Sequence, residues 1–181
     1  KKMLSNFFVI IIVSLCTKTW AQTAQTSCWF TTIAGNDEIF GFSGDGGPAI
    51  DALVYAPKFP TVNDFGDIYF IDAGNYRIRK IDTNGVITTI AGNGTNGLTR
   101  SGSPATAIPV NASVMTVDQS GNLYFTSPGG SGIWKLAHGT IQAVAVNGFL
   151  GSAYDLSVDA SGNLYADNYS YDARIRKIDP E

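Results

Sequence analysis

Two carboxylates, Asp72 and Asp167, stand at the ends of short apolar runs, where a strand gives way to a loop. Carboxylate oxygens are the hard ligands that calcium takes, and on a loop they can also bind a polar ligand. An arginine follows each of them closely, Arg77 after the first and Arg174 after the second. A structural ion pair within one repeated unit is therefore the competing interpretation.

Similarity within the chain favours the ion-pair interpretation. The stretch GNLYFTS resembles the stretch GDIYFID, but Ser127 takes the place of Asp72 and Gly132 takes the place of Arg77. Because both charges disappear together, they behave as partners in one structural contact. The sequence therefore predicts two structural pairs, and a ligand or cation site at the two carboxylates is the alternative.

Five further candidate ligand-binding residues fall in the long segment between residues 35 and 60. They are Phe40, Phe42, Asp45, Asp51 and Tyr55. Long loops on a rigid scaffold commonly carry recognition. The alternative is that GDGGPA is a turn in which Asp45 accepts a bond from nearby backbone. A second copy of this loop has Ser101 in place of Asp45, which favours the structural role.

Residues for other chemistries are scarce. A zinc site needs several histidine or cysteine ligands, but the chain has one histidine, His138, and two cysteines. His138 precedes the glycine of a predicted hairpin, so we expect an exposed turn residue. Asp64, Asp118 and Asp159 end predicted strands and are expected to cap the turns that follow. No catalytic residue and no cofactor is assigned, and calcium bound by carboxylates is the one metal ion that remains a candidate.

The elements that carry these residues repeat along the chain. Three motifs recur: TTIAG (31–35 and 88–92), GDIYFID with its variants (66–72, 121–127 and 162–168) and RIRKID (77–82 and 174–179). Each repeat reads as four short strands joined by turns rich in Gly, Asn and Asp. Four antiparallel strands in about 40–50 residues are typical of one blade of a β-propeller.

The order of TTIAG, GDGGPA, GNLY and RIRKID resembles the NHL-repeat family of β-propellers, over residues 28–180. The resemblance implies an all-β fold of four-stranded antiparallel sheets arranged radially about a channel. It does not imply one activity, because this architecture hosts unrelated functions. Some propellers of this general type are lactonases that use calcium in the channel, which makes a calcium-assisted hydrolase one implied alternative.

The predicted strands amount to about three blades. They comprise a lone outer strand at 28–34, blades at 61–90 and 113–146, and a partial blade at 154–179. Since propellers have 4–8 blades, we predict an incomplete propeller, closed by missing blades or, alternatively, by self-association. Strand alternation places the long connections at one end of each blade and the short hairpins at the other. The long-loop face is therefore the predicted binding face.

Residues 1–21 are predicted to be a signal peptide, and residues 22–27 a short linker. Lys1 and Lys2 precede an apolar run of ten residues, which is too short for a membrane-spanning helix of about 20 residues. We therefore expect export to the periplasm, cell surface or medium, with no membrane span in the mature chain. Removing this segment would leave nine basic and 15 acidic residues, which argues against nucleic acid as a partner.

Two functions follow from the sequence. The first is an exported, non-catalytic binding or scaffold module whose long-loop face recognises protein or carbohydrate. The alternative is a calcium-assisted hydrolase of the lactonase (gluconolactonase-like) kind, completed by missing blades.

Overall fold

The computed structural model of the 181-residue chain describes residues 30–35, 39–97, 99–102, 104–128, 132–145, 153, 155–168 and 174–179. The predicted signal peptide at 1–21 and the linker at 22–27 lie outside the described residues. So do Cys28 and residues 146–152.

Short strands rich in β-branched and aromatic residues make up most of the described chain. They are β1 (Pro57–Val62), β2 (Ile68–Asp72), β3 (Arg77–Ile81), β4 (Ile87–Ala91), β5 (Val114–Val117), β6 (Leu123–Thr126), β7 (Ile133–Ala137), β8 (Thr140–Ala145), β9 (Leu156–Val158), β10 (Leu164–Asn168) and β11 (Arg174–Ile178). Three 3-10 turns are the helical elements of the described residues: Ala49–Asp51, Ala73–Asn75 and Ala105–Ala107.

The strands form three antiparallel sheets in simple sequence order. Blade 1 is β1–β4, blade 2 is β5–β8 and blade 3 is β9–β11. Their first strands lie side by side, because β1 contacts β5 and β5 contacts β9. The later strands of each sheet therefore lie progressively further from this shared inner edge. This is the radial arrangement of an all-β propeller, and it confirms the predicted fold class.

Apolar side chains fill the spaces between neighbouring blades. Ile71 and Ile78 of blade 1 pack with Phe125 and Trp134 of blade 2. A second cluster joins blade 2 to blade 3. The opposite face of blade 1 has no sheet against it in the described chain, and residues 33–34 and 49–54 cover Phe70 on that side. Removing this apolar surface from water stabilises the packed sheets by roughly 25 cal/mol per Å² of buried area.

The lone outer strand predicted at 28–34 does not form over its described part. Residues 30–34 are irregular and pack through Ile33 and Ala34 onto blade 1. They do not pair with blade 3, where β11 is the last strand of a three-stranded sheet. Among the described residues, β11 is therefore an edge strand.

Aspartate or asparagine caps the hairpin between the first two strands of each blade. Asp118 Oδ1 accepts the backbone N–H of Asn122 at 2.8 Å, and Asp159 makes the same contact to Asn163 at 2.9 Å. Both capping predictions are confirmed. In blade 1 the cap is Asn63, whose Oδ1 accepts the N–H groups of residues 65 and 67. The prediction for Asp64 was wrong by one position, because the residue three before the turn glycine occupies the capping site.

Each blade has two distinct ends, named here from blade 1. The upper end carries the turn at residues 73–76 between β2 and β3. The lower end carries the hairpins at residues 63–67 and 82–86. No helix among the described residues is long and apolar enough to span a membrane.

Candidate functional site

The long loop before blade 1 folds back on itself against that blade. Near the upper end, Asn75 donates from its side chain to the Gly41 carbonyl. The loop then descends, so that Gly46 and Ala49 donate to residues 87 and 85 at the lower end. It returns beside its own descending arm and reaches the upper end again at Tyr55. The loop therefore contacts both ends of blade 1, and only part of it contributes to the predicted binding face.

An ionic cluster around the buried Arg79 side chain holds the loop in place. We call Asp45, Asp72, Asn75 and Arg79 the Arg79 cluster. Arg79 Nη1 lies 3.1 Å from Asp72 Oδ2, and Nη2 lies 3.0 Å from Asp45 Oδ1. Nη2 also donates to the carbonyl of Ser43 at 3.1 Å. The Asp72 and Arg79 side chains are fully buried, so their charges depend on each other and on these hydrogen bonds.

Asp72 uses both of its oxygens within this cluster. Oδ1 accepts the Tyr55 backbone N–H at 2.8 Å, and Asn75 Nδ2 lies 2.8 and 2.9 Å from the two oxygens. Burial raises the pKa of Asp72, while the contacts with Asn75, Tyr55 and Arg79 lower it in part. The carboxylate therefore ties the returning loop to strands β2 and β3.

The structural role predicted for Asp72 fits this geometry, but the predicted partner was wrong. Asp72 and Arg77 are opposite each other in the register of β2 and β3. Arg77 nevertheless turns away and donates to the carbonyls of Asn75 and Asn93, at 2.8 and 3.3 Å. Arg79 takes its place, because it lies two residues further along the same strand and on the same side.

Three aromatic residues predicted as ligand contacts gather beside this cluster. The Phe40 and Tyr55 rings stack with centroids 4.9 Å apart. The Phe42 ring lies 3.7 Å from the Arg77 guanidinium carbon and 4.9 Å from that of Arg79. We call Phe40, Phe42 and Tyr55 the loop aromatic group. Phe40 is 71% exposed and Tyr55 is 43% exposed, so apolar surface is presented to solvent at the upper end.

Of the two acidic loop candidates, only Asp45 joins these residues. Its role is structural, as predicted, but its partner is the Arg79 side chain and not the nearby backbone that the sequence suggested. Asp51 ends the 3-10 turn Ala49–Asp51, whose first residue is bonded to Gly85 at the lower end. The folded-back path of the loop thus separates Asp51 from the other four loop candidates.

Asp167 was wrongly grouped with Asp72. Asp72 is opposite Arg77 in blade 1, but in blade 3 it is Asn168 that is opposite Arg174, and Asp167 is opposite Ile175. Adjacent strand residues point to opposite faces of a sheet. Asp167 therefore lies on the other face from the position of Asp72. Its Oδ1 accepts the backbone N–H of Asp155 at 2.8 Å.

Sequence reasoning missed Arg79, although the repeats contain a signal for it. The register places Arg79 opposite Phe70 and Trp134 opposite Phe125, so Trp134 stands at the position of Arg79 in blade 2. In blade 2, Ser127 stands at the position of Asp72, and Ser101 precedes the blade at the position of Asp45. All three charges of the Arg79 cluster are thus replaced together, which identifies Arg79 as the shared partner.

The described residues contain no group of three or more His, Cys, Asp or Glu side chains placed to hold a metal ion. Asp72 is also a poor calcium ligand, since both of its oxygens already accept protein hydrogen bonds in a fully buried site. His138 lies in the hairpin between β7 and β8, exposed and at a φ of 50°. That location confirms the predicted turn residue.

Residues 41–119, less than half of the chain, match the family model of the teneurin NHL domain. Teneurin-1 of Homo sapiens is 42% identical over 87 residues, which cover 45% of this chain and 3% of that protein. Teneurin-1 of Gallus gallus is 52% identical over 56 residues, or 31% of this chain and 2% of that protein. The chain thus spans only a few per cent of the length of these relatives.

A solved structure gives the same architecture. A structural-genomics protein of unknown function from Bacteroides thetaiotaomicron superposes with a TM-score of 0.59 at 20% identity. The match covers 84% of this chain and 39% of that protein. At this level of identity the likeness shows the fold alone.

Proposed function

The chain carries NHL-type β-propeller repeats, and from this premise we propose that it is an exported, non-catalytic binding module. Its binding surface is the upper end of blade 1, where the loop aromatic group is presented. The observation that carries the proposal is an exposed aromatic stack, Phe40 on Tyr55, on a loop that the Arg79 cluster holds in place.

Rigid presentation is what makes this surface suited to recognition. Exposed aromatic side chains on an immobile backbone lose little conformational entropy on binding. Tyr55 is anchored through its own N–H on Asp72, and the Phe42 ring is held against the Arg77 guanidinium. Aromatic and arginine side chains are also the residue types that contribute most to protein interfaces.

A protein partner suits this surface better than a carbohydrate. Aromatic rings beside an arginine are typical of protein interfaces, and the contacts of Phe40 with Tyr55 and of Arg77 with Phe42 leave each ring only one face on which a sugar could stack. What remains exposed is a set of ring edges and outer faces around a cation. Such a surface fits apolar and acidic side chains of an extracellular protein.

Selection from a phage-displayed peptide library tests the proposal. Peptides selected on the wild-type chain should lose at least tenfold in affinity for the variant Phe40→Ser/Tyr55→Ser. They should bind the control Ile50→Ser normally, because Ile50 is an exposed residue at the lower end of the same loop.

Equal binding to the wild-type chain and to the double variant would contradict the proposed surface. A glycan array run in parallel distinguishes the ligand class. Glycan binding that the double variant loses would identify a carbohydrate partner at the same surface.

A further inference from the structure

Residues 30–34 are held in the position of an outer strand. The glycine that follows them, Gly35, has a φ of 95° and donates its N–H to the Ala49 carbonyl at 3.1 Å. Gly92, which follows β4, has a φ of 91° and donates its N–H to the Ala105 carbonyl at 3.0 Å. The chain therefore leaves residues 30–34 by the same turn with which it leaves β4.

The packing of this segment also follows that of β4. Ile33 and Ala34 pack onto the open face of blade 1, and Ile90 and Ala91 pack into the cluster between blade 1 and blade 2. In the described chain, no strand pairs with residues 30–34. The segment thus has the position of a fourth strand without the other three strands of a blade.

Blade 3 has the complementary deficiency among the described residues. Its edge strand β11 has the sequence RIRKI, which is also the sequence of β3. In blade 1, β3 pairs with β4, whose sequence is ITTIA. Residues 30–34 read FTTIA, which differs from β4 only in the first residue. The chain therefore contains a second version of each of two strands that pair with each other in blade 1.

Two exposed apolar side chains mark the surfaces that this pairing would cover. Ile175 of β11 is 80% exposed, whereas Ile78, at the same position of β3, is fully buried. Phe30 is 67% exposed, whereas Ile87, at the same position of β4, is fully buried. Pairing between the two segments would bury both side chains in the way that blade 1 buries their equivalents.

Charge favours residues 30–34 over a second β11 as the partner strand. Arg174, Arg176 and Lys177 belong to β11, so pairing two β11 strands would bring like charges together. Residues 30–34 carry no charge. Strand β3 has the same three cations and pairs with the uncharged strand β4, so these cations are compatible with an uncharged outer strand.

The partner strand must come from another chain. Within one chain, residues 33–34 lie on the face of blade 1 that is turned away from blade 2. Strand β11 belongs to blade 3, which packs on the far side of blade 2. Blades 1 and 2 therefore separate the two segments.

We propose that residues 30–34 of a second copy pair with β11 and become the fourth strand of blade 3. The register of β3 and β4 places Thr31 opposite Lys177 and Ala34 opposite Ile175. Blade 3 of one copy then lies against blade 1 of the other, and two copies joined reciprocally form a closed ring of six blades. This contact does not involve the loop aromatic group and goes beyond the proposed binding function.

Disulfide cross-linking between two single-cysteine variants tests the pairing. Both variants are made in the background Cys16→Ser/Cys28→Ser. Thr31→Cys mixed with Lys177→Cys should give a disulfide-linked heterodimer under mild oxidation, because opposite residues of paired strands lie within disulfide distance. Either variant alone should give at least fivefold less covalent dimer.

Ser157→Cys is the matched control, because Ser157 is exposed on β9 at the other edge of blade 3. Mixed with Thr31→Cys, it should give at least fivefold less heterodimer than Lys177→Cys does. Equal yields from the two mixtures would indicate random collision and overturn the pairing.

A chain that carries both Thr31→Cys and Lys177→Cys tests the closed ring. It should give a covalent dimer with two disulfides and no larger product, as measured by non-reducing electrophoresis and mass spectrometry. A monomer with an internal disulfide, or a ladder of larger products, would overturn the ring of two copies.

Discussion

At the scale of single residues, the contact between Asp72 and Arg79 decides where the long loop before blade 1 lies. Both side chains are fully buried, 3.1 Å apart, and each also bonds to the loop. In blade 2 a serine and a tryptophan stand at these positions, so the fold itself does not require the charges. The two residues are therefore expected to be strongly coupled, because removing one leaves the other charge buried without a partner.

Asp72→Asn or Arg79→Met alone should lower the free energy of unfolding by about 3–5 kcal/mol. In the double variant, the loss in free energy of unfolding should be smaller than the sum of the two single losses by at least about 1 kcal/mol, since no unpaired charge is then buried. Urea unfolding followed by circular dichroism measures this coupling. Asp51→Asn, at an exposed position, is the control and should change stability by less than about 0.5 kcal/mol. Additive effects of the two buried substitutions would contradict the coupling.

A turn carboxylate leads to a prediction about pH. Hydrogen bonds from the Asn163 side chain and backbone, the Tyr165 hydroxyl and the Ser161 N–H lower the pKa of Asp159. A carboxyl whose pKa is lower in the folded state stabilises the fold above its unfolded pKa, about 3.9. That contribution is lost as the pH falls through the folded pKa.

Asp159→Asn should therefore lower the urea midpoint by a constant amount between pH 7 and pH 5. The difference from the wild-type chain should shrink as the pH falls towards 3. Midpoints measured across this range check the prediction, and a difference that stays constant down to pH 3 would rule out ionisation of Asp159 as its source.

At the scale of elements, a glycine decides where the outer strand β4 passes into the next loop. Gly92 follows β4 with a φ of 91°, and its N–H donates to the Ala105 carbonyl at 3.0 Å. A Cβ there would collide with the Tyr76 carbonyl oxygen and lie 2.9 Å from Arg77 Cα. Gly85, in the hairpin before β4, also has a positive φ, but a Cβ there would meet nothing within 4 Å.

Gly92→Ala should lower the free energy of unfolding by about 2–4 kcal/mol, since a backbone collision adds to the cost of the positive φ. Gly85→Ala should cost only about 1 kcal/mol, which is the conformational part alone. Thermal or urea unfolding of the two variants compares these costs. Equal losses would mean that the collision relaxes freely and that β4 does not constrain the loop.

At the scale of the whole molecule, the described blades present apolar surface that a closed propeller would cover. Ile175, the second residue of edge strand β11, is 80% exposed. Exposed edge strands with apolar side chains promote pairing between chains, and a lysine at such a position opposes it. Arg174, Arg176 and Lys177 of the same strand already oppose such pairing, so we expect the open edge of blade 3 to give weak self-association that depends on Ile175.

Sedimentation velocity should show mass increasing with concentration for the wild-type chain. Ile175→Lys should shift this association to at least threefold higher concentration without changing the unfolding midpoint. Ile50→Lys is the control, because Ile50 is also exposed but lies in a 3-10 turn rather than on a strand edge. The same shift in both variants would indicate general charge repulsion instead of edge pairing.

The strands, hairpins and turns of this molecule are determined largely by residues that are close in sequence. The repeated motifs predicted the strands of each blade, and turn aspartates such as Asp118 and Asp159 predicted the capped hairpins. His138 before a glycine predicted an exposed turn. These features depend on side-chain alternation, backbone φ and contacts over a few positions, so they can be read from short stretches of sequence.

The path of the long loop and the partner of Asp72 were decided by tertiary structure. Arg79 meets Ser43 across 36 positions of sequence, and no local pattern determines how the loop doubles back to make that contact. The same path gathered Phe40, Phe42 and Tyr55 at the upper end and placed Asp51 at the lower end. A buried charge needs a partner on its own side of the sheet, and only the register and the packed loop decide which residue that is.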